Sequence, residues 1–127
     1  AEKQKIINKY AKFKKVTLHF NQMDLAPFYR QSKVFINPMF HGSGVKIKSI
    51  MALVNALPLV STTVGAEGIG LTSDMFWIAN NDEAFLLALT EIFNSQQEFL
   101  ESKVNEAQNF LKQNHYLTVL EHEINTL

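Results

Sequence analysis

Residues 42 to 48, Gly-Ser-Gly-Val-Lys-Ile-Lys, are the part of this chain whose types and spacing could do chemistry. Gly42 and Gly44 let a backbone come close to a ligand, and the apolar run behind them reads as a helix whose free N–H groups would face an anion. A helix N-terminus carries about half a positive charge and four unpaired N–H groups, and it favours a nearby anion by about 0.3–1 kcal/mol. Lys46 and Lys48 therefore stand at the wrong end. They repel an empty helix start, whereas around a bound diphosphate they supply the countercharge. On a helix, residues two apart point about 200° from one another, so both cannot face one ligand. With a helix beginning at Ser43, Lys48 is the expected ligand-facing cation and Lys46 extends to water. Two solvated lysines on an exposed turn are the competing reading, because a Gly-x-Gly turn alone is a weak signal.

The elements that must position this turn follow from periodicity. Residues 2–13 carry Ile6, Ile7, Tyr10 and Phe13 at helical spacing, and Val16, Leu18 and Phe20 alternate as in a strand over 16–20. Asp24 can cap a short helix that tolerates Pro27 in its first turn. Residues 33–37 read as a short buried strand that stops at Pro38, 44–56 as a helix with Ile47, Ile50, Met51 and Val54 on one stripe, and 58–62 as the next strand. Gly65, Gly68 and Gly70 then mark a loop, and 75–79 is a strand containing Trp77. Three helices close the chain. The first is 83–93, capped by Asn81 or Asp82; the second starts from a capping box of Ser95 and Glu98 and runs to about residue 113; the third is 116–126. Strands alternating with helices predict an α/β fold, a parallel sheet covered on both faces. Ligands bind such sheets at the C-terminal strand ends, and loops 38–44 and 63–70 both leave those ends, on one rim.

Composition bounds the function. A chain of 127 residues is one domain or part of one, and without cysteine it has neither disulfides nor thiolate metal ligands. The absence of cysteine fits a cytoplasmic setting, and no apolar run approaches the roughly 18 residues that a bilayer span needs. The net charge of zero hides a division: residues 1–48 carry +8 and residues 49–127 carry −8. Lys3, Lys5, Lys9, Lys12, Lys14 and Lys15 read first as a solvated helix face. The sharper alternative is attraction to an anionic membrane surface, as a peripheral contact, or to a phosphate ligand. No nucleic-acid partner is expected.

The run from Phe35 to Ile69, FINPMFHGSGVKIKSIMALVNALPLVSTTVGAEGI, resembles the donor-binding segment of group 1, GT-B type glycosyltransferases. The likeness extends to residues 16–34 before it and 76–93 after it. The resemblance implies a Rossmann-like half-domain, the C-terminal one of its family. It implies a nucleotide-sugar donor, UDP- or GDP-linked, whose diphosphate sits on Gly42, Ser43, Gly44, Val45, Lys46 and Lys48. A hexosyl group would pass to a glycan or lipid-linked acceptor held by a separate domain, with no prosthetic group. Fixed amides and lysines can stabilise a departing diphosphate. Asp24, Asp74 and Asp82 have no aspartate partner and His19, His41, His115 and His122 have no ligand spacing, so no metal site is expected.

Departures from the family pattern mark where this expectation is weakest. Its two glutamates across the turn and helix fall on Ser43 and Met51; the second usually grips the donor ribose, and a thioether accepts hydroxyl bonds poorly. Met51 also reads as a core residue. Glu67, near Gly65, is the carboxylate that could substitute, with a solvent-facing loop acid as the competing reading; His41 beside the turn reads as structural or exposed. Glycines usual in the family are replaced by Ala56 near the helix end and by Asn21 after the first strand. The first two strands of the family's domain and its acceptor domain lie outside these residues, so 1–127 is expected to be a partial domain with a gap in its sheet and poor solubility alone. Two further functions stay open: a non-catalytic relative acting as an interaction module, and a nucleotide-sugar epimerase of the same architecture.

Overall fold

The computed structural model describes residues 2–114. Its elements are α1 (Glu2–Tyr10), α2 (Ala26–Gln31), β1 (Phe35–Asn37), α3 (Ile47–Val54), β2 (Leu59–Ser61), β3 (Trp77–Ile78), α4 (Asp82–Asn94) and α5 (Gln97–Gln113). The helix expected over 116–126 lies outside the described residues.

The three strands form a parallel sheet in the order β1-β2-β3. Phe35 pairs with Leu59, Asn37 with Ser61, and Val60 with Trp77. Side chains along a strand alternate between faces, and β2 shows it. Leu59 joins a core with Tyr29, Ile50, Leu53, Ile69, Ala107 and Leu111, while Val60 joins another with Trp77, Ala79, Ala88 and Ile92. Helices therefore cover both faces, α3 on one and α4 on the other. The fold is the expected Rossmann-like α/β sheet. Helix α5 serves both layers, since Leu100 packs against the second core and Ala107 and Leu111 belong to the first.

Local chemistry explains most boundaries. Asn81 Oδ1 accepts the Ala84 N–H at 2.8 Å and starts α4. Asp24 is not the cap of α2 as expected: the N-cap is Leu25, without a side-chain cap bond, and Asp24 accepts the Ala26 N–H at 3.0 Å from one residue further out. Helix α3 ends in a Schellman turn, with Ala56 N–H bonded to Leu53 O and Leu57 N–H to Ala52 O. The residue in left-handed conformation there is Ala56, at φ 62°. Asn21, at φ 53°, is the other non-glycine residue with positive φ. Both are positions where the resemblance implies glycine.

Three more expectations need correction. Residues 16–20 form no strand: Val16 and Leu18 are exposed, and no strand among the described residues pairs with them. An alternating pattern specifies a strand only where a neighbour can accept its backbone groups. The capping box at Ser95 does not form either. Ser95 Oγ donates to Glu91 O at 2.6 Å, closing α4, and α5 begins after Gln96 without a side-chain cap. Helix α3 starts at Ile47 rather than at residue 44, which makes Lys46 its N-cap and leaves Lys48 in its first turn.

Candidate functional site

The parallel register places the ends of β1 and β2 side by side, so the loops after Asn37 and after Ser61 share one rim. Buried polar side chains join them. Asn37 Nδ2 donates to Ser49 Oγ at 2.9 Å, and Ser49 Oγ donates to Gly65 O at 2.8 Å. Thr62 N–H donates to Asn37 O at 3.2 Å, Thr62 Oγ1 donates to Met39 O, and Gly65 N–H donates to Thr62 Oγ1 at 3.0 Å. At the neighbouring strand end, Asn80 and Thr63 exchange two hydrogen bonds, at 2.9 and 3.1 Å. These bonds fix the rim before any ligand arrives.

On this frame the turn 42–45 is exposed to solvent throughout. Gly42 (φ 125°) and Gly44 (φ 83°) lie in the region that disfavours side chains, and a Cβ on Gly44 would meet nothing within 4 Å. A Cβ on Gly42 would instead lie 3.4 Å from Met39 Cε, so the open space is at Gly44.

Lys46 takes a different place from the one the sequence suggests. Lys46 is the N-cap residue of α3, in extended conformation, and its side chain is folded inward with 10% of its surface exposed. Its Nζ donates to Gly44 O and lies 3.5 Å from Glu67 Oε2. It does not reach into water. Lys48 stands in the first turn of α3 and is exposed. The carbonyl and the half-exposed Glu67 offset the repulsion between Lys46 and the helix end, and with one partner half in solvent the ion pair is worth about 0–1 kcal/mol.

Met51 is half-buried and packs against the core that holds Ile50, Leu53 and Leu57. Glu67 therefore is the acid that accompanies the turn, held near it by Lys46. His41 is exposed. Among the described residues no group of three His, Cys, Asp or Glu side chains stands together, and no helix is long and apolar enough to cross a membrane.

Sequence reasoning missed Asn37, Ser49 and Thr62, which organise the rim. The available signal was a hydroxyl between Ile47, Ile50 and Leu53 on an otherwise apolar helix, and an amide ending a buried strand.

The model of the glycosyl transferases group 1 family matches residues 1–95, a span that takes in both loops, both lysines and all three strands. The chain belongs to the group 1 glycosyltransferases. A stretch of 60 residues of this transferase segment is 40% identical to an uncharacterized 44.6 kDa protein in the cps region of Klebsiella pneumoniae. That stretch is 47% of the present chain and spans 16% of the relative's length. No solved structure matches the segment at significant similarity.

Proposed function

We propose that this segment holds the nucleoside diphosphate of a UDP- or GDP-linked sugar donor, in a GT-B type enzyme that transfers a hexosyl group to a glycan or lipid-linked acceptor bound elsewhere in the protein. The observation that carries the reading is the exposed glycine turn at 42–44. It leads into a helix start bearing two lysines, on the rim where parallel-sheet ligands bind.

The chemistry asked of the site is electrostatic. As the glycosidic bond to the donor breaks, negative charge grows on the departing diphosphate, and donors fixed in advance stabilise it without reorganising. The amides following Gly44 and the ammonium of Lys48 are the first such donors. Lys46 is the second cation, reached by exchange: a phosphate oxygen takes the place of Glu67 and the Gly44 carbonyl beside its Nζ. Glu67, once released, is a carboxylate available for the ribose hydroxyls, a role the half-buried thioether of Met51 cannot fill. Amides and lysines make this a metal-independent way of stabilising the leaving group.

Titration calorimetry of the full-length protein with UDP and GDP tests the reading. Lys48→Ala and Lys46→Ala each weaken binding by about ten-fold, the loss of a charge-assisted hydrogen bond. Affinity unchanged in both variants removes the phosphate role. Met51→Glu separates the ribose assignments. It leaves affinity flat if Glu67 already serves the ribose and raises it if that contact is lacking.

A further inference from the structure

We infer that Asn37 and Ser49 are positioning residues, a buried relay that sets the spacing between the two loops of the donor site. The inference rests on the donor reading above, and it assigns that site a control which neither the turn nor the lysines supply.

The argument begins with the serine hydroxyl. A serine inside a helix ordinarily bonds back to a carbonyl of the preceding turn. Ser49 instead spends its one proton on Gly65 O, sixteen residues further along the chain, and accepts the Asn37 amide on its lone pair. Its exposure is 0% and that of Asn37 is 4%, so neither bond can be replaced by solvent without moving backbone. One hydroxyl thus joins the end of β1, the start of α3 and the glycine loop after β2.

Gly65 shows how closely the loop is seated. A Cβ there would lie 2.2 Å from Ser61 Oγ and 3.0 Å from the Asn37 amide nitrogen, so the loop backbone rests directly on the relay. Thr62 provides a parallel tie, donating to Met39 O in the first loop and accepting from Gly65 N–H in the second. Two residues beyond Gly65 stands Glu67, which reaches Lys46 across the same gap. The separation of the two loops therefore determines whether one diphosphate-ribose unit can touch the 42–45 amides and Glu67 at once. A site of fixed dipoles tolerates little misplacement, and errors near 1 Å are costly.

Ser49→Ala in the full-length protein leaves the Asn37 amide and Gly65 O without partners, and Ser49→Cys keeps the size with a weaker donor and acceptor. The measurements are UDP and GDP affinity, and the KM for donor and for acceptor, taken well below each variant's melting temperature. Ile92→Val, which trims the opposite core, serves as the control for lost stability. Ser49→Ala is expected to weaken nucleotide binding about ten-fold and to raise the donor KM alone, with Ser49→Cys intermediate. Ile92→Val should melt earlier yet bind as the wild type does. Should Ser49→Ala fail to fold, Ser49→Cys and Asn37→Asp, which takes the amide donor away, carry the same reading. Unchanged affinity in the folded variants, or equal rises in donor and acceptor KM, overturns the relay while leaving the donor site standing. Wild-type protein that binds neither nucleotide overturns the donor reading and the relay with it.

Discussion

The C-terminal rim and the N-terminal arm are built on opposite terms. At the rim, Asn37, Ser49, Ser61 and Thr62 are polar and buried, and side-chain and backbone bonds tie two loops together. In the arm, residues 2–25, no residue is buried, and Tyr10, Phe13, Val16 and Leu18 are exposed apolar side chains. Two are roofed by lysines, with Lys9 Nζ 5.5 Å from the Tyr10 ring centre and Lys12 Nζ 5.4 Å from that of Phe13. The rim is specified by hydrogen bonds that have one solution. In the arm Tyr10 and Phe13 meet each other, ring centres 6.1 Å apart, and no residue of 2–25 joins either buried core. The family match covers both regions, so membership alone does not tell them apart. Burial does.

The comparison breaks most sharply at Gly65. Gly65→Ala forces a methyl group to 2.2 Å from Ser61 Oγ, and its cost should be at least about 2–3 kcal/mol, read as a lower denaturant midpoint at constant slope. A smaller loss would mean that the loops are not seated as tightly as the relay requires. Ala56→Gly runs the other way. Releasing the left-handed strain in the Schellman turn should stabilise the fold by about 1 kcal/mol in the same assay. Paired Val16→Ser and Leu18→Ser substitutions in the arm should shift stability by no more than about 0.5 kcal/mol, as expected of exposed sites, while improving solubility. A large loss there would show that the arm has a partner that its exposure conceals.

The same contrast explains what could be read from the chain alone. Strands β1, β2 and β3, and helices α3 to α5, were legible because short apolar runs alternate with helical stripes and are punctuated by Asn81, Pro38 and the glycines. Ala56 and Asn21 were legible as odd residues at glycine positions, and their positive φ angles explain why glycine suits those positions. The strand at 16–20 failed for want of a neighbour, since alternation describes side chains and says nothing of which backbone will accept the ladder. Lys46 failed for a related reason. A three-residue delay in the start of α3 turned Lys46 from a helix-surface residue into a cap, and helix starts are among the least determined features of a sequence. The relay escaped notice because a single serine among Ile47, Ile50 and Leu53 looks like tolerated polarity until its acceptor, sixteen residues later, is known.

Helix α5 carries a practical consequence. The family likeness stops at residue 95, yet Ala107 and Leu111, at 0% and 1% exposure, complete the hydrophobic layer under α3. A boundary drawn where the likeness ends would cut away the wedge that closes the interior, so a gene fragment chosen for expression has to run past Leu111. During synthesis the sheet cannot gain its final support until those last turns have left the ribosome.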